Sequence, residues 1–154
     1  MSGIVIALMG VALSAILAGI GSAIGVSIGG QTGAGVLSEK PELFGRVLIL
    51  QALPGTQGIY GFLVSILLLT KMGMIGGTPL DLTVAQGWSY FMAAMPIAVV
   101  GLFSAIYQGK SAASAILMTS KKPNMSASGM TMVALTETYA ILALLVSILL
   151  YTAL

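Results

Sequence analysis

One acid in this sequence lies where acids are costly. Glu137 sits inside Met132-Val133-Ala134-Leu135-Thr136-Glu137-Thr138-Tyr139-Ala140-Ile141, fourteen residues beyond Pro123 and deep within an apolar stretch. If that stretch crosses a bilayer, a bare carboxylate near its middle costs about 2.5 to 3.5 kcal/mol on insertion scales, so the acid is expected to be protonated, paired or bound to a cation. The bland alternative is a polar residue gluing helices together, but an ionisable group in a membrane span is first of all a functional candidate. Folding the chain about Lys122-Pro123 brings position 137 level with Gln108. In an earlier apolar stretch, Leu53, Thr56, Gln57 and Tyr60 fall at i, i+3, i+4 and i+7. That spacing puts a hydroxyl, an amide oxygen and a phenol on one helix face, at about the depth of Glu137. Pro54 has no N–H for the carbonyl of Leu50 and is flanked by Gly55 and Gly58. The backbone there can bend and turn carbonyls toward a ligand, or it can simply kink.

One carboxylate with neutral oxygens suits a hard monovalent cation: the acid cancels the charge and the oxygens replace water. A proton would need only the acid and an acceptor, so Thr56, Gln57 and Gln108 favour Na+ over H+. Lys110 is near enough in sequence to be considered as a counter-ion. It lies two residues from Gln108, on another helix face, and a long lysine can snorkel toward headgroups, so pairing with Glu137 is not expected. Tyr60 and Tyr139 are each placed either to donate a hydrogen bond to Glu137 or only to pack.

The elements that must position these residues follow from composition. The chain has 154 residues, 58% of them hydrophobic and 6% charged, with a mean hydropathy of +1.08. A soluble domain carries about a quarter of its residues as charges, so lipid is the expected solvent for most of this chain. Six basic and four acidic residues are too sparse for the continuous basic face that nucleic acid binding needs. With no Cys and no His, disulfides, thiolate chemistry, zinc sites and the usual near-neutral general base are excluded. The apolar stretch behind the N-terminus outruns a signal-peptide core and has no basic n-region, which reads as a retained first span.

Four apolar stretches, about Ile4 to Leu37, Phe44 to Thr70, Gly87 to Thr119 and Ser126 to Ala153, each exceed the roughly 20 residues that cross a bilayer core. They predict an all-α membrane protein with four transmembrane helices. The breaks carry turn signals: Ser38-Glu39-Lys40-Pro41-Glu42, Lys71 through Leu82, and Ser120-Lys121-Lys122-Pro123-Asn124. Lys40, Arg46, Lys121 and Lys122 mark the first and third loops, against Lys71 alone at the second. That bias places the loops near 38–46 and 119–126 in the cytoplasm and both termini outside.

The chain also matches itself at an offset of 82 residues without a gap, Gly19 to Leu68 against Gly101 to Leu150. Leu63-Val64-Ser65-Ile66-Leu67-Leu68 recurs whole as Leu145 to Leu150, and Ser22-Ala23-Ile24 recurs as Ser104-Ala105-Ile106. Two tandem duplicated hairpins follow, over 1–75 and 83–154, in the same membrane orientation. The position of Glu137 in the first copy is Gly55, so one carboxylate serves both hairpins. Gly21, Gly25, Gly29 and Gly33 recur every fourth position, beside a second stripe of Gly19, Ala23 and Ser27; the third helix has Gly101, Ala105, Gly109 and Ala113. Such faces let backbones approach closely, either as ordinary helix packing or as the crowded inner layer of an oligomer, and two whole glycine-faced helices favour the oligomer.

On Leu53-Pro54-Gly55-Thr56-Gln57-Gly58, Gln108-Gly109-Lys110 and Glu137-Thr138-Tyr139-Ala140-Ile141, the chain resembles, over nearly its whole length, the sixteen-kilodalton proteolipid of V-type ATPases in its bacterial sodium-translocating form. The resemblance implies a homo-oligomeric rotor ring in the cell membrane, with the first and third helices inside and the second and fourth outside. It also implies an ion site made by the backbone carbonyl of Leu53, the side chains of Thr56, Gln57 and Gln108 and the carboxylate of Glu137, with Tyr60 hydrogen-bonding that carboxylate. The implied cargo is Na+, or H+ in a proton-carrying ring of the same type. The implied partners are a stator membrane subunit supplying an arginine, a central-stalk subunit and the lipid bilayer. No phosphate-cradling Gly-Lys-Ser/Thr loop follows a strand here, so nucleotide chemistry belongs to other subunits. A small four-helix cation or drug antiporter also uses one membrane glutamate, but lacks the duplication and carries its acid in the first helix. A purely structural proteolipid would tolerate loss of the acid.

Overall fold

Prolines and glycines divide the chain. In the computed structural model, which describes residues 2–154, α1 (Gly3–Glu39) runs for 37 residues, about 55 Å at the helical rise. It stops because Pro41 drives the residue before it out of the helical region, and Lys40 indeed has φ −134° and ψ 68°. A single 3-10 turn, Pro41–Leu43, leads into α2 (Phe44–Ala52). A second, Leu53–Gly55, separates α2 from α3 (Thr56–Lys71). The next loop turns through Gly73 and Gly76, both at positive φ, a conformation glycine adopts without a Cβ penalty. At its end Thr83 and Gln86 form a reciprocal capping box that opens α4 (Val84–Lys121). Lys122, ahead of Pro123, repeats the geometry of Lys40, and α5 (Ser126–Ala153) completes the chain.

Among the described residues four helical stretches, 3–39, 41–71, 84–121 and 123–153, are long and apolar enough to cross a membrane, and the chain is a multi-pass membrane protein. The element ends repeat at the 82-residue offset: Glu39 with Lys121, Pro41 with Pro123, Phe44 with Ser126, Lys71 with Ala153. The second hairpin departs at 135–137, where α5 stays α-helical and the first hairpin has its 3-10 turn. Pro96 lies inside α4 without dividing it; Ile97 N–H donates to Ser147 Oγ of α5 at 3.3 Å.

The glycine stripe of α1 packs within the chain. A Cβ on Gly10, Gly21 or Gly25 would run into the α4 backbone at Phe91, Leu102 or Ala105, and one on Gly109 would meet the backbone of Gly25. Toward the first loop the stripe turns to α2, with Gly29 and Gly33 facing Gln51 and Val47. The second stripe is left facing outward: Ala23 and Ser27 are exposed and Gly19 has open space before it. Two apolar clusters form the core. One gathers Val11, Leu68, Tyr90 and Ile97, the other Val47, Leu50, Ile116 and Val133, and the polar residues of the site lie between them along the chain. Basic side chains tie the helix ends. Lys40 Nζ donates to the carbonyl of Ser120 at 2.5 Å, Arg46 Nη1 to that of Pro123 at 2.9 Å and Lys71 Nζ to that of Tyr151 at 2.7 Å. Lys40 and Lys71 thereby place cations at the C-termini of α4 and α5, where they are favourable.

Candidate ion-binding site

The site begins with the missing N–H of Pro54, which tightens the chain into the turn over Leu53–Gly55. The turn closes with the N–H of Thr56 on the carbonyl of Leu53. Thr56 Oγ1 donates to the same carbonyl at 3.0 Å and lies 3.3 Å from Gln57 Oε1, so three oxygens gather where the helix is interrupted. Gln57 is fully buried. Its Nε2 donates to Gln108 Oε1 at 2.6 Å and to Ser104 Oγ at 3.3 Å, both on α4. Gln108 is also fully buried. Its Nε2 donates to the carbonyl of Val133 at 3.2 Å and to Glu137 Oε2 at 3.4 Å on α5. Tyr60 Oη, one helical turn beyond Thr56, donates to Glu137 Oε1 at 2.5 Å.

Leu53, Thr56, Gln57, Tyr60, Gln108 and Glu137 thus form one continuous hydrogen-bonded chain across α3, α4 and α5. The carboxylate receives one donor from each hairpin, which is how the duplicated units meet at a single acid. Glu137 is half-buried. Met132, Leu135 and Tyr139, around it on α5, are each 64% or more exposed, so the acid lies just behind an apolar outer surface. Tyr139 faces outward, and among the described residues the hydrogen-bond partners of Glu137 are Tyr60 and Gln108. Lys110 is exposed, with Nζ 5.1 Å from the ring centroid of Tyr107.

Sequence reasoning missed Ser104. It is buried, receives Gln57 Nε2 and donates to the carbonyl of Thr136 at 3.0 Å. Its counterpart in the first hairpin, Ser22, accepts the Gly58 N–H at 2.8 Å. The recurrence of Ser22 as Ser104 was the available signal, since both hydroxyls serve the second helix of their own hairpin. The carbonyl of Val133, hydrogen-bonded to Gln108, had no signal of its own.

The oxygens assembled are neutral except for one carboxylate, and among the described residues no group of three or more metal-ligating acids occurs. Such a donor set matches the single charge of an alkali cation and offers little to a divalent one.

A family model for the C subunit of ATP synthase matches residues 9–68 and 91–150, once in each hairpin and at the offset of the internal repeat. The V-type sodium ATPase subunit K of Enterococcus hirae is 45% identical over 148 residues, 96% of this chain and 91% of that protein. The A-type ATP synthase subunit K of Methanocaldococcus jannaschii is 37% identical over 147 residues, 96% of this chain and 62% of that protein. Matched in both hairpins by one family model and over nearly its whole length by both relatives, the chain belongs to the family of the ATP synthase C subunit.

Proposed function

We propose that this chain is the ion-carrying subunit of a rotor ring in a V-type ATPase and that its cargo is Na+. The observation that carries the reading is the hydrogen-bonded chain ending at Glu137: a half-buried acid behind an apolar face, fed by Tyr60 and Gln108 and backed by the oxygens of Leu53, Thr56 and Gln57. The sodium ATPase subunit among its relatives supports Na+ over H+. Turning the Gln108 and Gln57 amides end for end together would put Gln108 Oε1 beside Glu137 and keep the bond between the amides, with Gln108 Nε2 donating to Gln57 Oε1. Tyr60 then keeps the other carboxylate oxygen oriented.

The chemistry is ion exchange, and this chain is not a catalyst; ATP hydrolysis belongs to other subunits. A cation held at Glu137 cancels its charge, so the loaded site can pass lipid; the bare carboxylate is penalised there by the insertion cost of a membrane charge. An arginine on a stator subunit, competing for the carboxylate, releases the ion and restores the neutrality that lets the ring turn. The basic first and third loops face the cytoplasm and a central-stalk subunit, and both termini face outside.

The test is radioactive sodium binding to the purified oligomer, with one ion expected per chain. Glu137→Gln should abolish that binding and Na+ transport while the oligomer still assembles. Na+ should also slow carbodiimide modification of Glu137. Normal transport by the Gln variant refutes the assignment, and modification indifferent to Na+ makes the cargo a proton.

A further inference from the structure

Four side chains of the site lie on a circuit that begins and ends on α5. Glu137 Oε2 and the carbonyl of Val133 accept from Gln108 Nε2, and Gln108 Oε1 accepts from Gln57 Nε2. The same Nε2 donates to Ser104 Oγ, and Ser104 donates to the carbonyl of Thr136, the residue before Glu137. The two amides can turn end for end together, since each has donors at one end and an acceptor at the other. The ends of the circuit cannot, because carbonyls and a carboxylate only accept. Reversal therefore sets Gln108 Oε1 against the oxygens of Glu137 and Val133, which repel it unless a positive charge lies between them.

Gln57 sits between two hydroxyls, with Thr56 Oγ1 3.3 Å from its Oε1 and Ser104 Oγ 3.3 Å from its Nε2. Each hydroxyl has one proton, and each has a backbone carbonyl to receive it, Leu53 at 3.0 Å for Thr56 and Thr136 at 3.0 Å for Ser104. A hydroxyl committed in this way satisfies an amide nitrogen and not an amide oxygen, so the two compete for the one Nε2 of Gln57. Here Ser104 holds it. On reversal Thr56 gains it, and Ser104 must turn its proton from Thr136 to Gln57 Oε1, leaving the Thr136 carbonyl only its place in the α5 helix. We propose that Ser104 is a positioning residue that opposes loading: it counterweighs Thr56 across the Gln57 amide and so holds Gln108 Nε2 on the carboxylate. A carrier must let its ion leave as well as enter, and two hydroxyls pulling in opposite senses leave the choice of polarity to the cation. The first hairpin has no equivalent, because its Ser22 faces the backbone N–H of Gly58, a donor that cannot turn.

The inference rests on the ion-carrier reading of Glu137, and its test is the sign of one substitution. Ser104→Ala removes one hydrogen bond more from the polarity seen here than from its reverse. The purified oligomer of that variant should therefore bind radioactive sodium more tightly, by roughly two- to tenfold for one neutral hydrogen bond, and release it correspondingly more slowly. A serine that only braced the site would give the opposite sign, so weaker or unchanged binding overturns the inference. Ser104→Thr keeps the hydroxyl and should bind as the native chain does. In a Gln57→Met chain, which has no amide to turn, Ser104→Ala should leave sodium affinity where it was; tightening there as well overturns the route through Gln57. Should Ser104→Ala not assemble, Ser104→Cys, a weak donor and acceptor, should shift affinity in the same direction, and no shift overturns the inference equally. A native oligomer that binds no sodium removes the cargo reading alone. Carbodiimide still reads Ser104 in that case: with Gln108 Nε2 less firmly held on Glu137 Oε2, Ser104→Ala should speed modification of Glu137 in sodium-free buffer several-fold, and an unchanged rate overturns the inference.

Discussion

Gln108 is the neutral residue of the second hairpin that joins Gln57 to the acid. Its carbonyl oxygen receives Gln57 and its nitrogen reaches Val133 and Glu137, so it links the two hairpins at the depth of the acid. Gln108→Ala removes these bonds and leaves the buried Nε2 of Gln57 with only Ser104 Oγ. A neutral buried hydrogen bond contributes about 0.5 to 1.5 kcal/mol, so sodium affinity should fall by about tenfold, with assembly retained. Sodium titration of the purified oligomer reads this directly; unchanged affinity would place Gln108 outside the ion's reach.

The 3-10 turn at Leu53–Gly55 and the packing of α1 on α4 are the two element-scale features that position the site. Pro54→Ala returns an N–H to the helix, lets the carbonyl of Leu50 accept it and removes the cause of the turn. Sodium affinity should weaken several-fold while helix content by circular dichroism stays the same or rises. Gly25→Leu would force a side chain into the α4 backbone at Ala105 and against the ring of Pro54, whereas Gly35→Leu meets open space. The first should prevent recovery of the oligomer by size-exclusion chromatography and the second should not, since overpacking a tight contact cannot be relieved by backbone. Much of this was legible in the sequence because its signals are local. Proline set the helix ends and the break at 54, apolar run length set the spans, and counting from Lys122-Pro123 matched the depths of Gln108 and Glu137. The use of the glycine stripe was not legible. Four-residue spacing shows that Gly21 and Gly25 form a close-packing face but not whether it meets α4 of the same chain or another copy, because that depends on how whole helices dock. Ser104 was hidden for a similar reason: a serine in a span acquires its partners from rotamer and crossing angle rather than from spacing.

For the whole molecule, the basic residues have two roles. Lys40 caps the end of α4 and Arg46 holds the turn at Pro123 that follows it, and under the proposed topology both also weight the first loop toward the cytoplasm. With the native chain free of cysteine, Asn124→Cys should react with a membrane-impermeant maleimide in inside-out vesicles and Gly76→Cys only in right-side-out ones; the opposite pattern inverts the topology. The glycine at position 55, standing where the second hairpin has Glu137, also bears on energetics. In a rotor built as proposed, a full turn moves one cation for every two hairpins, so the machine is geared low. With the work per nucleotide fixed, fewer ions delivered per turn means that each can be driven against a proportionally steeper electrochemical difference. A second acid at position 55 would raise the gear, moving more cargo per revolution and stalling at a shallower gradient.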